Sequence, residues 1–581
     1  MNKKLGTIMV AVCMMASLPS SAQFGKLKGL MGKKDSTQTE QPKEKAPKKE
    51  GGGFGAGLMN KIISKVAKAA VSVGGGAMGM VGSTDDLTSV VPSLYLMTNL
   101  HPTAVQEIGQ NFFNGWEPGG NAVLFMFTAK NKQQFTKIQG TVTIDSKPAD
   151  FVAVGCYSAF SKDNATAKKV EITSNSGQKA AFTLNPPKHK IKLLSINGQK
   201  ENVSVDLTKE VVLEFENMND NNAPISVWLT GTTIGIKTMY EVGWFAPKSK
   251  IIIPPAAFRN MNGVQNNIGF GGCYLQVSRS SIDKATNVSG AFPEIEYASI
   301  VSDGKFLSVT AKPVFNKGIE AKFKENGLSF EVNKANALFA PAFNQMKTLG
   351  VMGFSAQGVT SYYDKKTNKL QGVEITKSAS FPQFDNSVWD AILEKTYKEV
   401  IAIVEQEFAV KVLPLETVTN SDAYNNIKTY NSAEENTTEN FSQAYENTKL
   451  LLGKRPLSEL AGIKSPEYKI MKETAANALL NFTLHLDLNF EDAKAVMIPS
   501  ITYNIGGEIV GENYNSNYVT GKVTGKAFPI KNKQVISVEM LESNVLNIDA
   551  LLATFKKSIQ AIKEKEKING DYEAVWNAMK N

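Results

Sequence analysis

Thr483, His485 and Asp487 stand two residues apart inside a run, residues 480–490, whose alternate positions are Leu480, Phe482, Leu484, Leu486, Leu488 and Phe490. In an extended strand, side chains two apart point the same way, roughly 6–7 Å from each other at a rise of ~3.3 Å per residue. The three can therefore line one polar groove, where an imidazole and a carboxylate are ingredients of proton transfer. At that spacing the ring and the carboxylate do not easily bond each other, and no nucleophile adjoins them. Binary alternation also puts polar residues on any sheet face turned away from a core. The row is thus either a ligand groove or a solvated, loop-covered face.

Other residues with chemical potential are scattered. His101, His189 and His485 form no H-E-x-x-H pattern and there is no C-x-x-C, so no metal site of His or Cys is implied, although Asp- and Asn-rich loops leave an all-oxygen calcium site open. Gly74, Gly76 and Gly79 match G-x-G-x-x-G, but a helical pattern precedes them and Ser83-Thr84-Asp85-Asp86 reads as a turn, the reverse of a dinucleotide site. Gly353-Phe354-Ser355-Ala356-Gln357 lacks the last glycine of a nucleophile elbow, and Ser281-Ile282-Asp283-Lys284 matches S-x-x-K without a K-T-G, so it reads as a surface turn. No cofactor is called for. Glu294 and Glu296 share a strand face, as a glycosidase pair or as solvated carboxylates. Trp116 and Trp244-Phe245 lie near turn residues, where they either stack on a glycan or plug a core.

The chain has 581 residues, 42% hydrophobic and 20% charged, which points to two or three globular domains. Of the net charge of +9, Lys3 and Lys4 supply two, residues 23–50 a net four, and Lys61, Lys65 and Lys68 three, so the chain from Ser83 onward is neutral overall. Only Arg259, Arg279 and Arg455 are arginines, which provides poorly for phosphate or base recognition and argues against nucleic acid. Residues 1–22, with Lys3-Lys4, an apolar run and Ser20-Ser21-Ala22, read as a signal peptide, which implies export to the periplasm, the outer membrane or the medium. Cys13 lies inside that run behind bulky Val12, unlike a lipobox. Export leaves Cys156 and Cys273 as a candidate disulfide closing a loop of about 117 residues, or as two small buried residues that never meet.

Residues 23–53, rich in Lys, Pro, Gln and Gly, read as a disordered basic linker. In 54–82, Leu58, Ile62 and Val66 mark one helical face with Lys61, Lys65 and Lys68 beside it. Two readings stand: a helix lying on an anionic membrane surface, or one docked on the body before a glycine hinge. Residues 83–333 alternate in short runs around turn residues, with hairpins expected at Asn175-Ser176-Gly177, Asn197-Gly198, Ser302-Asp303-Gly304 and Asn326-Gly327. That is an antiparallel β-sandwich region of one or two domains. Residues 334–384 read as a connecting region with a short helix over 334–349, broken at Pro341, and a hairpin around 364–368.

From 385 to 581 helical and strand patterns mix. Helices are expected at 387–404 (Ser387 with Asp390 as a cap), 465–476 (Ser465 as cap, Pro466 at the first position) and 548–562. Strands are expected at 408–413, 480–490, 496–505, 518–523 and 535–540, with 420–448 a surface loop or frayed helix. The fold class is multidomain α+β: a β-sandwich region, then a C-terminal α/β domain with helices on one face of a sheet.

Residues 472–480 (Lys-Glu-Thr-Ala-Ala-Asn-Ala-Leu-Leu) are similar in outline to the helix end before an apolar strand in bacterial envelope proteins, with Ala476 and Asn477 where those families carry Gly and Asp. With the element order of about 385–567, this resembles the α/β domain of the TolB amino-terminal and curli-secretion lipoprotein type. The resemblance implies envelope assembly or binding and carries over no functional residue. The expectation is an exported envelope protein that binds or assembles with an envelope protein or a glycan, with an anionic membrane surface as a further partner. The rival is a secreted or periplasmic hydrolase of a glycan or peptide.

Overall fold

Alternation builds the first half of the chain into strands, but at two of the four turn signals the flanking segments do not pair as a hairpin, although Asn197 and Gly198 do turn, at φ 51° and 74°. The computed structural model describes residues 81–99, 119–130, 134–153, 156–216, 223–233, 236–261, 273–368, 373–429, 439–451, 465–491, 494–510, 514–531 and 535–580. The leader, the basic linker and the candidate membrane residues Leu58, Lys61, Ile62, Lys65, Val66 and Lys68 lie outside them. Lys168–Ser174 and Lys179–Leu184 pair as expected, as do Ile319–Glu325 and Leu328–Lys334, whose turn residues Asn326 and Gly327 both take positive φ (53° and 83°). Leu193–Ile196 and Val203–Asp206 part company instead: the first pairs with Val211–Phe215 and the second crosses to run parallel to Glu296–Ala311. Ser302, Asp303 and Gly304 make no turn, because Glu296–Ala311 is one continuous strand. A Cβ on Gly304 would lie 2.3 Å from the Leu275 carbonyl oxygen and against the Tyr274 ring, so that glycine serves close approach.

An eleven-stranded sheet runs through this half. On one part of it, Leu94, Leu96, Phe125, Phe127 and Tyr157 face Val142, Ile172, Phe182 and Leu184 of a five-stranded sheet. On another, Val227, Leu229, Val242, Leu275 and Val277 face Leu193, Val211, Leu213 and Ile251 of a three-stranded sheet. The two sandwiches share the sheet, joined where Leu94–Thr98 runs parallel to Tyr297–Val301. The region is therefore mixed, not purely antiparallel. Ser83 and Thr84, read as turn, belong to an edge strand, Val81–Thr84, parallel to Phe135–Ile138.

The C-terminal unit is a nine-stranded sheet that begins earlier than 385, because Ile319–Glu325, Leu328–Lys334 and Thr348–Val359 all belong to it. No helix spans 334–349; a short 3₁₀ turn, Phe343–Gln345, precedes the strand. Ala478–Glu491 is the central strand, parallel to Thr348–Val359 on one side and antiparallel to Lys494–Val510 on the other. Its residues Leu480, Phe482, Leu484, Leu486 and Leu488 are all buried. Phe482 stacks on Phe354 at 4.7 Å between centroids and meets Phe555 edge-on at 5.9 Å. Two long helices cover this face: Asn386–Phe408, with Asp385 and not Ser387 at the N-cap position and no capping hydrogen bond from its side chain, and Ile548–Asn569. Ser465 caps Pro466–Thr474 as expected, its hydroxyl accepting from the Tyr468 N–H at 3.2 Å. That helix and two short ones, Leu415–Thr419 and Asp422–Asn425, bury Met352 and Leu479 on one corner of the opposite face. The segment expected as a strand at 535–540 is a helical turn, Val538–Met540.

A terminal helix, Asp571–Lys580, leaves this unit and packs Tyr572, Val575, Trp576 and Met579 into the second sandwich core. Asp571 pairs with Arg259 and accepts from the Asn260 and Asn316 amides, both at 2.9 Å, while the Trp576 indole donates to the Ala337 carbonyl at 2.6 Å. At this junction Lys334 Nζ is fully enclosed, 3.0 Å from Glu566, 2.9 Å from the Tyr518 carbonyl, and over the Phe343 ring.

Burial pushes the Lys334 ammonium down to about 8, with Glu566 pulling the other way. An unfolded lysine titrates near ~10.4, so between about pH 8 and 10 the unfolded chain binds more protons and this group makes stability rise with pH. Below about pH 8 the lysine is charged in both states, and its contribution is flat. Across that window the urea midpoint of wild type should rise relative to that of Lys334→Met; parallel curves would show that Lys334 is not desolvated.

Candidate functional site

The outer face of the C-terminal sheet is polar because each strand's alternation sends its small and amide side chains there. Register aligns three rows across six strands. Thr483 sits between Ser355 and Thr502, and the row continues through Lys522 and Glu331 to Lys322. Asn481 begins a parallel row through Asn504, Thr520 and Asn333 to Glu320. His485 heads a third through Ser500, Thr524 and Ser329 to Lys324. Apolar character ends abruptly at Leu479, which the three short helices cover.

Within the rows lies a depression of about 380 Å³ lined by strand residues alone, among them Asn333, Asn481, Thr483, Thr502, Asn504, Thr520, Lys522 and Glu331. A second depression of about 460 Å³ adjoins it, sharing Glu331 and Lys522 and adding Lys322, Lys324, Ser329 and Thr524. The Asn504 amide donates to Thr520 at 2.9 Å and to Asn517 at 3.2 Å. Asn481 Oδ1, also in the lining, is buried with no hydrogen-bond partner among the described residues. Such a face offers donors and acceptors in a fixed lattice, about 4.8 Å apart across the strands.

Of the three residues first singled out, Thr483 lines the depression. His485 stands beside it, with Nε2 2.9 Å from the Thr502 hydroxyl. Asp487 is one step further along and not in the lining, but its charge reaches the ring. Burial holds the His485 imidazole below its usual range; Asp487 and Glu439 raise it and Lys522 lowers it. Asn504, Thr520, Lys522, Asn333 and Glu331 escaped the sequence reading. Their signal was the same alternation, with Thr520 and Lys522 set between Val519, Gly521 and Val523, but nothing local showed that their strands join one face.

The other candidates resolve differently. The Cys156–Cys273 bridge is overturned: strands Val90–Thr98, Asn121–Ala129 and Glu296–Ala311 lie between the two, about 19 Å at strand spacing. A disulfide tolerates at most ~7 Å between Cα atoms, and Cys273 is a buried thiol. Glu294 is exposed and pairs with Lys284. Ser281 lies in strand Cys273–Lys284, not a turn, with its hydroxyl 3.1 Å from Asp283. Trp244 is buried and donates to Glu241, a core plug. Trp116 and His101 lie outside the described residues.

No family model matches the chain. No curated protein matches it either. Among solved structures, the chain is similar to native alpha-2-macroglobulin from Escherichia coli, a piece spanning domains MG0-NIE-MG1, at 9% identity over 45% of this chain and 86% of that one. The TM-score of 0.10 is too low for a shared fold.

In a histidine proton NMR titration, the resonance of His485 should titrate below the ordinary value of about 6.5. Lys522→Gln should move it up and Asp487→Asn should move it further down. An unmoved midpoint in both variants would mean that the three groups do not share one face.

Proposed function

We propose that this chain is an exported bacterial envelope protein that acts by binding, with the polar outer face of the C-terminal sheet as its ligand surface. The observation that carries the reading is the lattice of amide and hydroxyl side chains around Thr483, Thr502, Asn504 and Thr520, set in a depression that no helix enters. Hydroxyl-rich ligands both donate and accept, as these side chains do. A glycan of the envelope fits that chemistry better than an apolar peptide, and it specifies the coarser expectation of an envelope protein or glycan as partner. The resemblance of about 385–567 to the TolB-type and curli-secretion α/β domains is a further support for envelope binding or assembly.

Binding is favoured over hydrolysis by the acids present. Glu331 is the one carboxylate among the described residues lining the first depression, and it is held 3.1 Å from Lys322. Glycoside hydrolysis uses two carboxyl groups flanking the bond.

The leader and the Lys61, Lys65, Lys68 stripe extend the reading to location. Expressed with its own first 22 residues in a bacterium, the protein should be recovered outside the cytoplasm beginning at Gln23, partly on membranes and released by salt. Recovery in the cytosol with Met1 in place would sink the export claim; a salt-indifferent soluble pool would sink the membrane contact alone.

On an array of envelope glycans, the mature chain should bind, and Thr502→Val with Asn504→Leu should weaken binding about tenfold or more, since each lost hydrogen bond is worth ~0.5–1.5 kcal/mol and unpaired ligand groups cost more. Equal binding by the variant would move the ligand surface elsewhere.

A further inference from the structure

The three rows of the outer face are not uniform. At the central strand they hold neutral groups, Asn481, Thr483 and His485 with its depressed ring; toward the hairpin of Ile319–Glu325 and Leu328–Lys334 they become charged. Lys322 is neutralised on that hairpin by Glu331 at 3.1 Å and Glu320 at 3.4 Å. Lys522 and Lys324 are different. Both are exposed, both belong to the second depression, and among the described residues neither is paired with a carboxylate. Register places Lys522 one strand and Lys324 three strands beyond Lys494–Val510, and one row apart, so the two lysines straddle the Glu331 and Ser329 strand with about 12 Å between their backbone positions.

We propose that the ligand of this face is an acidic oligosaccharide, with sugar hydroxyls read by the Asn504, Thr502 and Thr520 lattice and its carboxylates read by Lys522 and Lys324. This rests on the ligand surface proposed above and adds the charge of what it binds. A neutral glycan would leave both lysines without use, and a purely ionic polymer would leave the amide and hydroxyl rows without use. Lysine also suits single carboxylates, met as point charges, whereas paired phosphate oxygens favour arginine, and among the described residues no arginine lines either depression. The countercharge on Lys322 makes the reading local: among the described residues that line the two depressions, only Lys522 and Lys324 present an open cation, so charge spacing along the ligand becomes a selectivity element.

The test uses the full mature chain, isothermal titration with hexagalacturonate and with maltohexaose, at low and at physiological salt. Hexagalacturonate should bind more tightly, and its advantage should shrink with salt. Lys522→Gln and Lys324→Gln should each weaken it up to about fivefold, the double variant bringing the two sugars level by a loss that falls chiefly on hexagalacturonate. These side chains are exposed, so unchanged melting temperatures confirm that the variants fold. Equal binding of both sugars by wild type overturns the charge inference and leaves the ligand surface standing. Binding of neither overturns both. Full displacement of hexagalacturonate by polyphosphate of equal charge overturns the inference too, because it would reduce the lysines to an unselective cation patch.

Discussion

The C-terminal unit depends on one constraint: Phe482 and its alternate neighbours in Ala478–Glu491 must face the two long helices. A slip of one residue would exchange Leu480, Phe482, Leu484 and Leu486 for Asn481, Thr483, His485 and Asp487. The polar face therefore exists because the apolar one is so strictly defined. The aromatic contacts of Phe482 with Phe354 and Phe555, and the Tyr503 hydroxyl bonded to Ser558 at 2.8 Å, hold that register against the closing helix. Parallel pairing with Thr348–Val359 and antiparallel pairing with Lys494–Val510 then carry it outward to strands that contribute the rest of the surface.

What could be read from the sequence was whatever repeats locally. The central strand, the Ser465 cap, the closing helix and the Asn326-Gly327 turn all announce themselves within a few residues. Thr348–Val359 did not, because it is buried on both faces over most of its length and so shows no alternation, and its glycines look like loop. The missed hairpins share a cause. Asp303-Gly304 has turn composition, but it lies within one continuous strand with the Tyr274 ring against it; Asn197-Gly198 does turn, both residues at positive φ, but a crossing into the other sheet claims the strand after it. The domain boundary moved for the same reason, since nothing in Ile319–Lys334 shows which sheet it joins.

The site was half legible. One strand supplied Thr483, His485 and Asp487 as a row, but a surface needs several strands in register, and register between segments 20 to 190 residues apart is not a local property. The cysteines make the converse point: with only two, sequence separation alone could not distinguish a bridge from two strands held four places apart in one sheet.

The terminal helix has a consequence in time. Tyr572, Val575, Trp576 and Met579 are wall residues of a core whose other walls lie more than 230 residues earlier. A chain made from its amino end can lay down both halves of the second sandwich, yet cannot seal it until Asp571–Lys580 arrives. Completion of the middle of the molecule therefore waits until the strands of the C-terminal sheet have all been made. Until then that core stays open along one side.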